Sequence, residues 1–354
     1  MSRRRNSLKR AALSFLCIVL AVILTAMLSV TLYFQYLLKQ INYVEHDETP
    51  TLSQEQLNEY LAEEEDSDAS APSMDAGDVE FKDHTTQIGG KGSGLVNILL
   101  IGQDRRPGES RARSDTMILC TFNKHTKTLT MTSFLRDLYV EIPGYQDNRI
   151  NAAYAAGGMS LLNETLKENF GIRIDGNIEV DFNQFAQIVD LLGGVTMELR
   201  QDEADVINRD APGTVSAGTQ LLTGQQALAY ARIRKIGGDQ QRVVRQRTVV
   251  SSLIDKCRNM GLLELHDLAT RILPLIITDM TSEEITNYLW ELIPMVKDIK
   301  LASLTIPVDN EALPHSMWSK TLDLYGYTSS VLECNLTLNA QYLQNALGME
   351  TESK

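Results

Sequence analysis

LVNILLI (95–101), TMILCTF (116–122) and TLTMTSF (128–134) are three apolar runs of strand length in close succession. NKHTK (123–127) joins the second to the third and has a turn's composition. TLTMTSF alternates, which is the period of a half-buried strand. Working outward, 151–170 reads as a helix, 179–182 as a short strand and 183–192 as a helix. Gly193-Gly194 and a strand over 195–199 follow. The polar stretch 200–218 reads as a surface loop, 223–231 as a helix and 239–258 as a long helix. On the long helix, Val243, Val249, Val250, Leu253 and Ile254 leave a separate polar face. Two amphipathic helices are expected over 262–277 and 282–296, a strand over 301–306, and fraying at the C-terminus. Strands alternating with helices argue for a layered α/β domain.

The 354 residues carry a formal charge of −13, with an ordinary apolar fraction of 43%. Against that acidic background, residues 1–10 hold Arg3, Arg4, Arg5, Lys9 and Arg10, and 11–38 hold no charge at all. As a helix the uncharged run would be about 42 Å long, more than the ~30 Å hydrocarbon core. It reads as a tilted transmembrane helix, with 1–10 as a cytoplasmic tail and everything after 39 outside the cell. Residues 39–94 are acidic and rich in Ser, Ala, Pro and Asp, the composition of a solvated, flexible stalk with a short helix near 53–65. GGKGSG (89–94) precedes a strand instead of joining strand to helix, so it reads as a hinge and not as a phosphate loop. The outer domain is set at 95–310, with 311–354 as a C-terminal extension. Cys17, Cys120, Cys257 and Cys334 are too dispersed for a zinc site or a dense disulfide scaffold. Sequence cannot choose a disulfide among the last three.

The chemistry concentrates in YARIRKIGGDQQRVVRQR (230–247), where Arg232, Arg234, Arg242, Arg245, Arg247 and Lys235 face one acid, Asp239. Arg232 and Arg234 are two apart, a spacing that shares a face on an extended chain. Gly237 and Gly238 break the chain, and Asp239 is placed to cap the helix that follows. On that helix Arg242 and Gln246 share a face, four apart. Forked guanidinium donors converging from two elements suit phosphate or carboxylate oxygens.

Asp104, Asp115 and Arg136 all lie at strand ends, where α/β folds assemble sites. Two carboxylates with room for water suit a hard ion such as Mg²⁺. The spacing equally allows both to pair with Arg105, Arg106 or Arg113 at the surface.

GQDRR (102–106), RSDTMIL (113–119), SFLRD (133–137), RINAAYAAGG (149–158), VDFNQFAQIVDLLGGV (180–195), LTGQQALAYARIR (222–234) and DQQRVVRQR (239–247) together resemble the LytR-CpsA-Psr family of wall-polymer ligases. The resemblance covers roughly 95–258, in the family's motif order. Leu135 replaces the family's usual proline, and Arg149 its usual lysine. The resemblance implies a three-layer α/β domain with a central mixed sheet flanked by helices, behind a single membrane anchor. It implies that Asp104 and Asp115 hold Mg²⁺. It also implies that Arg106, Arg113, Arg136, Arg232, Arg234, Arg242 and Gln246 grip the pyrophosphate of a polyprenyl-linked glycan, with Asp115, Arg136, Arg232 and Arg234 in the catalytic roles. The implied reaction moves glycan-1-phosphate onto the 6-hydroxyl of N-acetylmuramic acid in peptidoglycan and releases polyprenyl phosphate. Its partners are the lipid-linked glycan, peptidoglycan and membrane lipid, at the outer face of a cell membrane.

The base that takes the acceptor's proton is left open between Asp115 and Asp137. Phe182, Phe185, Ile188, Val189 and Leu192 are either the slot for the lipid tail or ordinary core. A lipid-pyrophosphate hydrolase and a wall-glycan scaffold use the same residue inventory. A nucleic-acid partner is excluded by the charge rule, which places the arginines across the membrane from DNA.

Overall fold

The computed structural model describes residues 33, 36, 38–45, 51–63, 87–90, 92–103, 105, 112–308, 313, 317–324 and 328–348. The expected cytoplasmic tail and nearly all of the expected membrane span lie outside them. Among the described residues no helix is long and apolar enough to cross a membrane.

The elements run β1 (Asn42–Tyr43), α1 (Gln54–Glu63), β2 (Leu95–Gln103), β3 (Ser114–Asn123), β4 (Thr128–Phe134), β5 (Tyr139–Val140), β6 (Asn148–Arg149) and α2 (Ile150–Phe170). Next come β7 (Gly176–Asp181), α3 (Phe182–Leu191), β8 (Val195–Leu199), α4 (Gln201–Asp210), β9 (Gly218–Leu222), α5 (Gly224–Ala231) and α6 (Gly238–Arg258). The chain continues through α7 (Leu262–Ile272), β10 (Ile277–Thr278), α8 (Ser282–Leu292), β11 (Lys300–Ile306), β12 (Met317–Asp323), β13 (Thr328–Cys334) and α9 (Leu336–Ala346).

The main sheet is mixed, in the order β1-β10-β7-β2-β3-β4-β11. β2, β3 and β4 form an antiparallel meander, while β7 joins β2 and β11 joins β4 in parallel. Phe134 packs against Phe170 of α2 with ring centroids 5.3 Å apart and the rings tilted by 56°. Leu99, Ile101, Met117 and Leu119 bury their side chains into the same cluster. The next residues along each strand point the other way, toward α6, which crosses β3, β4 and β11. Helices thus cover both faces of a central mixed sheet.

A second cluster joins α3, β8, α4, α5 and α6 through Val189, Val195, Leu199, Ile207, Tyr230 and Val249. Two capping boxes start its helices. Asp181 accepts from the Gln184 amide to open α3, and Thr223 accepts from Gln226 to open α5. Gly224 lets α5 approach α3, since a methyl there would overlap the Ala186 carbonyl.

The structure departs from the sequence reading in several places. Within the expected stalk, α1 is seated on the domain, with Leu57 and Leu61 fully buried in the main cluster. The expected hinge at Gly89 is pinned. Ile88 is fully buried and bridges Ile172, its amide donating to the Gly171 carbonyl at 2.7 Å. The expected loop 200–218 contains α4, which buries Glu203, Ala204 and Ile207. Both expected amphipathic helices stop short of a proline, Pro274 or Pro294, where a short 3₁₀ turn takes over. Residues Leu336–Ala346 form a helix that the sequence reading did not foresee, and the last residues, where fraying was expected, lie outside the described ones. Leu336, Ala340, Leu343 and Leu347 recur at helical spacing and join the main cluster. Cys120, Cys257 and Cys334 are all free thiols.

Candidate active site

Asp115 is presented by a break in strand pairing. Gly102 pairs with Thr116 and Gln103 with Ser114, so Asp115 is the extra residue of a β-bulge. Bulges bend the strand and re-aim a side chain, and they concentrate beside active sites. The Arg136 Nη1 donates to Asp115 Oδ1 at 2.9 Å, and Arg234 approaches Oδ2 at 3.4 Å. Burial raises the Asp115 carboxyl's pKa, but Arg136, Arg242 and Arg234 outweigh it and hold the group at about 2.

Arg136 lies two residues past the end of β4 and is itself 7% exposed. Its Nε lies 3.7 Å from Asp137, which also meets Arg149 at 3.4 Å. From the third side comes α6. Arg242 is 2% exposed and donates to Asp239 at 2.7 Å. Burial lowers its pKa to about 10, countered by Asp239. Burial raises the Asp239 carboxyl's pKa, with Arg242 as the largest opposing influence. Asp239 does not cap α6, contrary to the sequence reading. Gly237, at φ 80°, takes the cap position, and Asp239 sits in the first turn. A left-handed cap suits glycine, which freed Asp239 to reach Arg242.

Four arginines and three aspartates thus form one electrostatic cluster. Gln246 lies one turn beyond Arg242 on the same face. Its Oε1 and the Arg242 Nε are buried and meet no partner among the described residues. Each such group costs about 1–3 kcal/mol until something pairs with it. Arg113 precedes the bulge, half-buried at the start of β3. Arg232 does not join the Asp115 cluster. It is exposed, with its guanidinium 4.4 Å above the Phe182 ring. Asp104 and Arg106 lie outside the described residues. Among those described, no group of three or more His, Cys, Asp or Glu side chains is placed to hold a metal ion. Asp115 alone fits such an ion in part. It offers ionised hard oxygens, and Mg²⁺ is commonly held by one or two carboxylates plus substrate phosphates.

Arg245 and Arg247 part ways with the site. Arg245 pairs with buried Glu203 at 2.8 Å and donates to the carbonyls of Ile233 and Ile236, bracing the loop that carries Arg234. Arg247 is 7% exposed, and its Nη1 meets no acceptor among the described residues. Of the apolar set on α3, Val189 and Phe185 pack into the second core cluster, and Leu192 is buried. Asp239 belongs to this cluster through Arg242, whereas the sequence reading placed it only as a helix cap. Its one signal was being the sole acid in the arginine stretch.

The chain is similar to known proteins. The chain is 38% identical over 183 residues to the polyisoprenyl-teichoic acid–peptidoglycan teichoic acid transferase TagT of Bacillus subtilis, covering 50% of this chain and 57% of that protein. It is 35% identical over 198 residues to biofilm regulatory protein A of Streptococcus mutans, covering 50% and 48%. The chain therefore spans about half the length of these relatives. Among solved structures, TagT with bound octaprenyl pyrophosphate lipid superposes with a TM-score of 0.53 at 27% identity, over 73% of this chain and 92% of that one. Residues 54–337 match the LytR_cpsA_psr family. The chain belongs to that family.

Proposed function

We propose that this chain is a phosphotransferase that moves a glycan-1-phosphate from a polyprenyl pyrophosphate carrier to the 6-hydroxyl of N-acetylmuramic acid in peptidoglycan. The observation that carries the reading is the convergence of Arg136, Arg234 and Arg242 on Asp115, with the buried Arg242 Nε a donor that meets no acceptor among the described residues. The octaprenyl pyrophosphate bound by TagT supports a lipid pyrophosphate as the occupant.

In this reading the acceptor's hydroxyl oxygen attacks the glycan-side phosphorus. The new P–O bond forms as the bond from that phosphorus to the bridging oxygen breaks, and polyprenyl phosphate leaves. Negative charge builds on the bridging oxygen. Guanidinium groups fixed beforehand by Asp115, Asp137 and Asp239 stabilise it without reorganising. Asp239 takes the hydroxyl proton, because burial keeps its carboxylate more basic than Asp115, which two arginines hold. Asp104 and Asp115 would hold Mg²⁺, which when bound neutralises charge on phosphoryl oxygens. Arg106, Arg113 and Gln246 add donors around the same oxygens. Arg232 and Phe182 form the rim toward the lipid, and residues 11–38 anchor the chain in the cell membrane with the site outside.

The test incubates the full chain in detergent with a polyprenyl pyrophosphate-linked glycan, Mg²⁺ and peptidoglycan fragments, and identifies products by mass. Polyprenyl phosphate together with glycan-phosphate on muramic acid is expected. Glycan-phosphate free in solution would make the chain a hydrolase. Tight binding without turnover would make it a scaffold.

A further inference from the structure

Behind the bulge lies a buried polar chain built from three strands' ends and a helix. The Gln103 Nε2 donates to Glu179 Oε1, and the Tyr154 hydroxyl donates to Glu179 Oε2. The other end of the Gln103 amide, Oε1, accepts from the Ala112 backbone amide at 3.0 Å. Gln103, Tyr154 and Glu179 are 1%, 2% and 5% exposed. The chain therefore crosses from α2 through β7 and the end of β2 to the segment just before β3.

Its placement is particular. Gln103 pairs through its backbone with Ser114, the first residue beyond the bulge, and through its side chain with Ala112. One residue thus grips the start of β3 at two points, on the side of Asp115 that the regular ladder does not reach. On the other side the ladder resumes at Gly102 and Thr116. A bulge leaves its extra residue without a ladder partner. Something outside the ladder must then fix its direction, and a buried carboxylate accepting two hydrogen bonds is stiff. Register also favours the arrangement, since Gln103 sits beside Asp181 and Ile101 beside Glu179 on adjacent parallel strands.

We propose that Gln103 and Glu179 are positioning residues for the phosphoryl-transfer site, a clamp that holds the Asp115 bulge at the angle at which Arg136 and Arg234 meet it. The proposal rests on the transferase reading for its kinetic consequences only. The clamp itself is a statement about the Ala112 amide and the bulge.

The test uses an exchange of the two residues. Gln103→Glu alone sets two carboxylates against each other in a buried space. Gln103→Glu combined with Glu179→Gln restores each bond, the one between positions 103 and 179 with its direction reversed and the other two with theirs kept. The new amide at position 179 donates to the new carboxylate at position 103, which still accepts from Ala112. The amide oxygen at position 179 accepts from the Tyr154 hydroxyl. In the full chain, kcat for transfer is expected to fall about 10–100-fold in Gln103→Glu, the range seen when groups supporting reactive side chains are removed. It is expected to return in the double variant, with donor KM moving less than kcat. Hydrogen–deuterium exchange at the Ala112 amide is measured on the same samples without substrate. It should be slow in the wild type, fast in Gln103→Glu and slow again in the double variant. Wild-type turnover in Gln103→Glu, or a double variant that regains a slow Ala112 amide without regaining kcat, overturns the positioning role. Should the wild-type chain fail to transfer, the transferase reading falls, and the exchange pattern still decides for or against the clamp. If Gln103→Glu does not fold, Gln103→Leu serves as the single variant with the same expected outcomes.

Discussion

The Arg136 guanidinium donates to Asp115 Oδ1 at 2.9 Å while Arg234 closes on the other carboxylate oxygen at 3.4 Å. The folded pKa of Asp115, about 2, lies below the ordinary 3.8. A depressed carboxylate contributes stability that is present above the unfolded pKa and lost as pH falls through the folded one. Asp115 therefore stays ionised throughout the physiological range. Asp115→Asn should abolish transfer and cost about 2 kcal/mol of stability at neutral pH. The difference from wild type should shrink between about pH 4 and pH 2. Urea unfolding across that range checks it, and a difference independent of pH would contradict the pairing.

Asp239 moves the opposite way. Burial raises its pKa despite Arg242, so its carboxylate is protonated at a pH where Asp115 is not. If Asp239 is the proton acceptor, as proposed, the acid limb of kcat/KM should lie above the ordinary carboxylate value of 3.8. The same shift makes its stability contribution largest at low pH, lost as pH rises through the folded pKa. Asp239→Asn should lower kcat about 10²–10⁴-fold and remove that limb, because general base catalysis is worth roughly that much. A pH–rate profile of the two forms is the measurement. An unchanged acid limb in the variant would assign the proton to another group.

The sheet and the longer helices were legible because their apolar periods are strong. TLTMTSF alternates, and the expected strand coincides with β4. What stayed hidden depended on partners distant in sequence. Glu203 lies in a stretch too polar to look structured, and it becomes a core residue only because Arg245 arrives from α6. Asp115 could be named from its motif, but the bulge that aims it arises from a register shift no single strand records. Asp239 looked like a helix cap by spacing, and the glycine two residues earlier took that place. Arg232 and Arg234 were expected to act as a pair. The chain turns after α5, leaving one over Phe182 and the other at Asp115.

Arg245 separates stability from binding. Its guanidinium meets Glu203 at 2.8 Å and also holds the carbonyls of Ile233 and Ile236. Arg245→Met takes the 2.8 Å cation from buried Glu203 and leaves it Arg200, whose guanidinium is 3.8 Å away, and loss of one partner of a buried pair costs about 3–5 kcal/mol. Glu203→Leu with Arg245→Met removes both charges and should recover most of that stability. The double variant still lacks the donors to Ile233 and Ile236, so the loop bearing Arg234 stays unbraced. Thermal unfolding should therefore recover while donor KM remains elevated. Recovery of both together would show that the pair serves the core alone.

Arg247 presents the reverse case, a buried cation whose Nη1 has no acceptor among the described residues. Burial alone lowers its pKa to about 10 from the ordinary 12.5. With the folded pKa depressed, the relative stability it contributes is present above the unfolded pKa and lost as pH falls through the folded one. At neutral pH the buried charge is a full burden. Arg247→Leu keeps the stem's packing and removes the charge, and swaps of buried charge for apolar bulk stabilise by about 1–4 kcal/mol in favourable cases. The midpoint of thermal unfolding at pH 7 should rise, with less gain at pH 10. Polyprenyl pyrophosphate binding should hold, since Arg242 and Gln246 occupy a different face of α6. A variant that is more stable but has lost donor affinity would instead place Arg247 among the groups that meet the donor.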